Sequence, residues 1–141
     1  MPTEQLERLK KLVEAAQQEG GTPLDVLVVD DSELSRQQTV HALNSANIPV
    51  NSITHAEDGR EATAILKEKS PHLIFTDYHM PRMNGQRFIE ILHALGKLDE
   101  VCVILCTVEH NPKIIDPLLQ LGLAAYIRKP INADTLKELS G

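Results

Sequence analysis

From residue 24 onward, short apolar runs alternate with longer stretches in which apolar residues recur every three or four positions. Five runs are β-type: DVLVVD at 25–30, VNSITH at 50–55, HLIFTD at 72–77, VCVILC at 101–106 and AAYI at 124–127. Helical candidates lie near 33–46, 58–69, 85–95 and 112–121, with a last one near 132–139. Such alternation predicts a mainly parallel five-stranded sheet, doubly wound, with helices on both faces. The first, third and fourth runs are nearly continuous Val, Ile, Leu and Phe, as strands covered on both sides should be. The second carries Asn51, Ser52 and Thr54 and reads as an edge. The predicted order is 2-1-3-4-5, whose reversal of winding opens a crevice at the carboxyl ends of strands 1 and 3.

Ahead of this pattern, residues 3–19 place Leu6, Leu9, Leu12, Val13 and Ala16 three and four apart among charged side chains, an amphipathic helix. Gly20-Gly21 stops it and Thr22-Pro23 makes a linker, so the division is an N-terminal helix and linker at 1–23 and the α/β domain at 24–141. Its heptad seam lasts barely two repeats, too short for an isolated coiled coil. Packing on its own domain is favoured over contact with a second copy or continuation of an upstream helix. The helix near 112–121 contains two prolines. Pro112 suits a first helical position behind Asn111, but Pro117 predicts a kinked, short or mobile helix, or one that begins at Pro117 behind an Asp116 cap. The brief terminal helix fits a chain cut from a longer protein.

At 141 residues, 42% apolar and 24% charged, the composition is that of one globular domain. A formal charge of -6 argues against a nucleic-acid surface, which needs clustered Lys and Arg. Cys102 and Cys106 share one face of a single strand and cannot pair within it; they read as buried, reduced thiols. The charged N-terminus and the absence of long apolar windows point to a cytoplasmic chain with no membrane partner.

Candidate chemistry gathers at the crevice. Strand 1 ends in Asp30-Asp31 and strand 3 in Asp77, so three carboxylates converge. Either one keeps its proton or a cation joins them, and magnesium suits carboxylates plus a substrate phosphate. Strand 4 delivers the Thr107 hydroxyl and strand 5 is followed by Lys129, a flexible cation. Taken singly these residues have plainer readings: a helix cap at Asp31 or Ser32, a strand threonine, a surface lysine. Their joint appearance on one sheet edge points to a site for a phosphoryl group.

Five separated elements, VLVVDDSE, TDYHMPRMNG, LCTVEH and, within AYIRKP, both Tyr126 and Lys129-Pro130, give the chain a specific resemblance to the receiver domain of two-component response regulators over about residues 25–139. The resemblance implies a flavodoxin-like fold and a signalling switch rather than an enzyme. It implies phosphorylation of Asp77 by a sensor histidine kinase or phosphotransfer protein. It assigns Mg2+ to Asp31, Asp77 and the His79 carbonyl, with Asp30 acting through water. Lys129 and Thr107 would bind the phosphoryl oxygens, Tyr126 would swing in behind Thr107, and the Lys129-Pro130 bond would be cis. The signal would leave through the helix near 112–121, strand 5 and the last helix, to an output partner, a missing output domain or a second copy of the chain.

Of six histidines, His41, His55, His72, His93 and His110 lack metal-ligand spacing. His79 lies two residues past Asp77 and Glu109 two past Thr107, so both overlook the pocket and are candidates to control water access to an acyl phosphate. Val108 stands where the family has a smaller residue, which weighs against easy phosphorylation by small donors. Two rivals remain. One is a metal-dependent phosphohydrolase with an aspartate nucleophile, disfavoured by the contiguous Asp30-Asp31 and the lack of room for a cap. The other is a phosphate-independent interaction module, disfavoured by the complete acid, hydroxyl and lysine set. A nucleotide-binding flavodoxin-like protein would need a Gly-rich loop after strand 1.

Overall fold

The computed structural model describes residues 3–137. Five strands, β1 (Leu24–Val29), β2 (Val50–Ala56), β3 (Leu73–Thr76), β4 (Cys102–Thr107) and β5 (Ala125–Arg128), form one parallel sheet in the order 2-1-3-4-5. The helices are α1 (Thr3–Gln17), α2 (Glu33–Ser45), α3 (Gly59–Leu66), α4 (Gly85–Ala94), α5 (Pro112–Leu121) and α6 (Ala133–Lys137), with a 3-10 turn at Lys97–Asp99. Positions 138 and 139 of the predicted last helix fall outside the described residues.

The strands work by their two-residue period. Val26 and Val28, Leu73 and Phe75, and Cys102, Ile104 and Cys106 face one layer, which α1, α2 and α6 cover. Leu27 and Val29, Ile74, and Val103 and Leu105 face the other, which α3, α4 and α5 cover. Both cysteines are buried and free, sharing the first face.

Helix α1 packs in cis. Leu9, Val13 and Ala16 are buried in the same cluster as Cys102, Ile104, Ala124 and Ala125, with Leu6 and Leu12 packed at its margin. Arg8 fastens the helix to the turn that leads into β4, donating to the carbonyls of Asp99, Leu98 and Val101 at 2.6, 2.7 and 3.0 Å.

Of the two readings of Pro117, the structure has the proline inside the helix. Helix α5 is a single ten-residue element capped by the Asn111 side chain on the Lys113 amide at 3.0 Å, with Pro117 inside it and no restart at Asp116. Pro117 cannot donate to the Lys113 carbonyl four residues back. Both residues are exposed, so water can serve that carbonyl and the helix survives.

Leu9→Ala leaves a hole beneath α1 and should destabilise the fold by about 2–4 kcal/mol, read from denaturant unfolding. Glu7→Ala, on the exposed side of the same helix, should leave stability within about 0.5 kcal/mol of the parent.

Candidate functional site

Parallel strands bring their carboxyl ends to one edge, and the backbone ladder continues one residue past each strand. The Asp30 amide donates to the Ala56 carbonyl at 3.0 Å, the Asp77 amide to Val29 at 2.9 Å and the Lys129 amide to Thr107 at 3.0 Å. Each functional side chain is thus held by main chain on a neighbouring strand. Ser32 starts α2 by accepting from the Ser35 amide, so the helix cap is Ser32 and Asp31 is left free for other work.

Lys129 Nζ lies 2.6 Å from Asp30 Oδ2 and 2.9 Å from Asp77 Oδ2, with Ser35 Oγ at 3.4 Å. The Ser32 amide donates to Asp30 Oδ1 at 2.9 Å and the Tyr78 amide to Asp77 Oδ1 at 2.6 Å. Asp30 and Asp77 are buried, whereas Asp31 is exposed. Burial pulls the Lys129 ammonium down, but its hydrogen bonds to the two carboxylates outweigh that and leave its pKa above the usual lysine range. Burial also pushes the Asp30 carboxyl up, and its hydrogen bonds from Lys129 and the Ser32 amide offset that only partly. Cys106, beneath this cluster, is a fully desolvated thiol whose pKa burial raises, which suits an inert core residue.

Carboxylate oxygens of Asp30, Asp31 and Asp77 lie within 4.8 Å of one another. Three hard oxygen donors, one of them exposed, fit a divalent cation of the Mg2+ type.

Around this centre, Thr107 is fully buried and its Oγ1 accepts from the Glu109 amide at 3.2 Å. The Tyr126 hydroxyl, on a half-buried ring, donates to the Glu109 carbonyl at 2.6 Å. His79 Nε2 stands 3.5 Å from Glu109 Oε2 across the mouth of the site. Val108 is 65% exposed on the rim, as is Leu34. The Lys129-Pro130 bond is cis.

The loop after Asp77 makes two separate demands on its backbone. Gly85 serves close approach: its amide donates to the Tyr78 carbonyl at 2.8 Å, and a Cβ there would collide with the Asp77 carbonyl oxygen. The left-handed angle belongs instead to Arg82, with φ 62°. Arg82 pairs with Asp58, a fully buried acid that sequence reasoning missed; the only signal for it was the Asp-Gly start of α3.

Comparison with known proteins agrees with this geometry. The family described as response regulator receiver domain matches residues 26–140. A two-component response regulator, ORR11, of Oryza sativa is 30% identical over 121 residues, 85% of this chain and 80% of its own. The chemotaxis protein CheY-3 of Vibrio cholerae is 31% identical over 115 residues, 82% of this chain and 87% of its own. Among solved structures, chemotaxis response regulator CheY4 of Vibrio cholerae superposes with a TM-score of 0.71 at 30% identity, covering 83% of this chain and 95% of that one. The signal receiver domain of NarL from Mycobacterium tuberculosis gives 0.72 at 28%, covering 82% and 91%. The family match begins after α1. Among the described residues, no helix is long and apolar enough to cross a membrane.

Mg2+ at a hundredfold excess over its dissociation constant should stabilise the fold by about 2.7 kcal/mol, and Asp31→Ala should remove most of that gain. Lys129→Ala strands two buried carboxylates and should cost about 3 kcal/mol in metal-free buffer. Thermal unfolding with and without Mg2+ reads both effects.

Proposed function

The chain belongs to the response regulator receiver domain family, and from that premise we propose that it is a phospho-accepting switch whose acceptor is Asp77. The observation that carries the reading is the Lys129 ammonium bridging Asp30 and Asp77 at 2.6 and 2.9 Å, with Asp31 completing the acid cluster.

The phosphoryl donor is a phosphohistidine on a sensor histidine kinase or phosphotransfer protein. An Asp77 carboxylate oxygen bonds to phosphorus as the P–N bond to the donor imidazole breaks, and the imidazole leaves with the electron pair. Phosphoryl transfer asks chiefly for alignment and charge neutralisation, so no general base is needed. Asp31, Asp77 and the His79 carbonyl would hold Mg2+, with Asp30 acting through water, and the ion would supply charge neutralisation at the phosphoryl oxygens. Lys129 has three donors, so it can turn one toward a phosphoryl oxygen while retaining Asp30.

Thr107 is the sensor. Its Oγ1 accepts from the Glu109 amide and its own proton is available to a phosphoryl oxygen. Movement of Thr107 toward that oxygen carries the segment between β4 and α5 with it. The Tyr126–Glu109 hydrogen bond spans that segment, so the Tyr126 ring follows. The output surface is α5, β5 and α6, presented to a partner or an output domain. His79 and Glu109 control the approach of water and hence the lifetime of the acyl phosphate. The chemistry is self-modification, without turnover of a released substrate. Free buried thiols suit a cytoplasmic setting.

Incubation with Mg2+ and a phosphodonor should add the mass of one phosphoryl group to the intact chain, and the Asp77→Ala chain should gain none. Replacing His79 by Ala should change the rate of dephosphorylation more than that of phosphorylation, measured by loss and gain of the same mass. Equal lifetimes in variant and parent would remove His79 from the account.

A further inference from the structure

Asp58 is a buried charge that the proposed chemistry does not use. It sits at the start of α3 with no exposed surface. Capping that helix occupies one oxygen: Oδ1 accepts from the Glu61 amide at 2.9 Å. Serine or threonine could cap equally well without a charge to desolvate. The other oxygen explains the acid. Oδ2 accepts from Arg82 Nε at 2.5 Å and from its Nη2 as well, a charge-assisted fork.

Arg82 belongs to the loop between β3 and α4, which begins at Asp77 and presents the His79 carbonyl. Within it Tyr78, Met80 and Met83 are only partly buried, and His79, Pro81 and Arg82 are exposed. Two main-chain bonds close the loop at its ends: Gly85 to the Tyr78 carbonyl at 2.8 Å, and Gly59, the first residue of α3, to the Met83 carbonyl at 3.2 Å. Between them the backbone reaches the left-handed region at Arg82, a conformation a non-glycine residue enters only when its surroundings hold it there. A tight turn holds it from the main chain, the Met83 amide donating to the Pro81 carbonyl at 2.5 Å, and Asp58 holds it from the side chain.

We propose that the Asp58–Arg82 ion pair positions residues 78–84 and, through them, the His79 carbonyl and the Asp77 carboxylate for a divalent cation. Asp58 and Arg82 are positioning residues; neither reaches the reacting atoms. The inference rests on the phospho-accepting reading of the site and adds to it a brace from the neighbouring helix. Removing the brace widens the range of positions available to the His79 carbonyl, so the ion must pay for ordering that the parent has already done.

Two substitutions isolate the pair. Arg82→Gly removes the guanidinium while permitting the backbone angle, and Asp58→Asn keeps a capping oxygen while turning an amide toward Arg82. Mg2+ dissociation constants are measured by titration calorimetry on parent, both variants and the double variant. Thermal unfolding in metal-free buffer serves as the control for folding. Each single variant should bind Mg2+ about three- to tenfold more weakly, and the double variant no more weakly than the weaker single, as expected when both changes remove one contact. Amide exchange across 78–84 should quicken in the same variants.

A role confined to stability would lower the unfolding temperature and leave the constant for the folded protein unmoved. Constants within about twofold of the parent in folded variants therefore overturn the proposal. Should Asp58→Asn fail to fold, Arg82→Gly decides alone, because glycine takes that angle freely. A parent that binds no Mg2+ defeats the phospho-accepting reading and this inference with it; a parent that binds while the variants match it defeats the brace alone.

Discussion

One ammonium serves two buried carboxylates, and the rest of the site is arranged around that shortage of positive charge. Lys129 reaches Asp30 and Asp77 together, its side chain 17% exposed, and Asp31 adds a third acid within 4.8 Å. Three carboxylates against one lysine leave the cluster short of cations by two charges when all are ionised. Burial makes that imbalance felt, since it pushes the Asp30 carboxyl upward even with lysine and amide hydrogen bonds in place. A divalent cation matches the deficit in sign, in magnitude and in its taste for oxygen. A site with such an imbalance spends stability on readiness to bind.

The imbalance is tolerable because the surrounding scaffold is rigid. β1, β3 and β4 are buried on both sides, and each delivers its functional residue through a main-chain bond to the adjacent strand. α1 contributes to this enclosure although it lies outside the family match. It covers part of the face of β4 and β5, and Arg8 ties together three carbonyls of the turn entering β4, the strand that ends in Thr107. The helix is therefore packed into the domain rather than hanging from it.

The periodicities made the fold legible. A two-residue alternation bounded by helical stretches admits few arrangements, and the polar Asn51, Ser52 and Thr54 marked the edge strand correctly. The five strands appear within a residue or so of their expected positions. Acidic residues at strand ends foretold the carboxylate cluster, because parallel strands bring their carboxyl ends to one edge. What escaped were contacts with no local signature. The apolar stripe of α1 announced a buried face without naming the surface it meets, and Arg8 finds its carbonyls some ninety residues away. Asp58 meets Arg82 across 24 residues. Pro117 left two helix starts open, and exposure of the affected turn with the cap at Asn111 lets α5 run through it. The close passage of the Asp77 carbonyl that demands Gly85 likewise has no local signature.

The central claim is that the acids, one cation and Lys129 together enclose a tetrahedral anion. The most direct test is fluorine NMR of beryllofluoride, a phosphoryl mimic, added to the parent chain with and without Mg2+. Bound fluoride signals should appear only with Mg2+ present, disappear in Asp77→Ala and weaken sharply in Lys129→Ala. Signals that persist without the metal, or that ignore the loss of Asp77, would contradict the account.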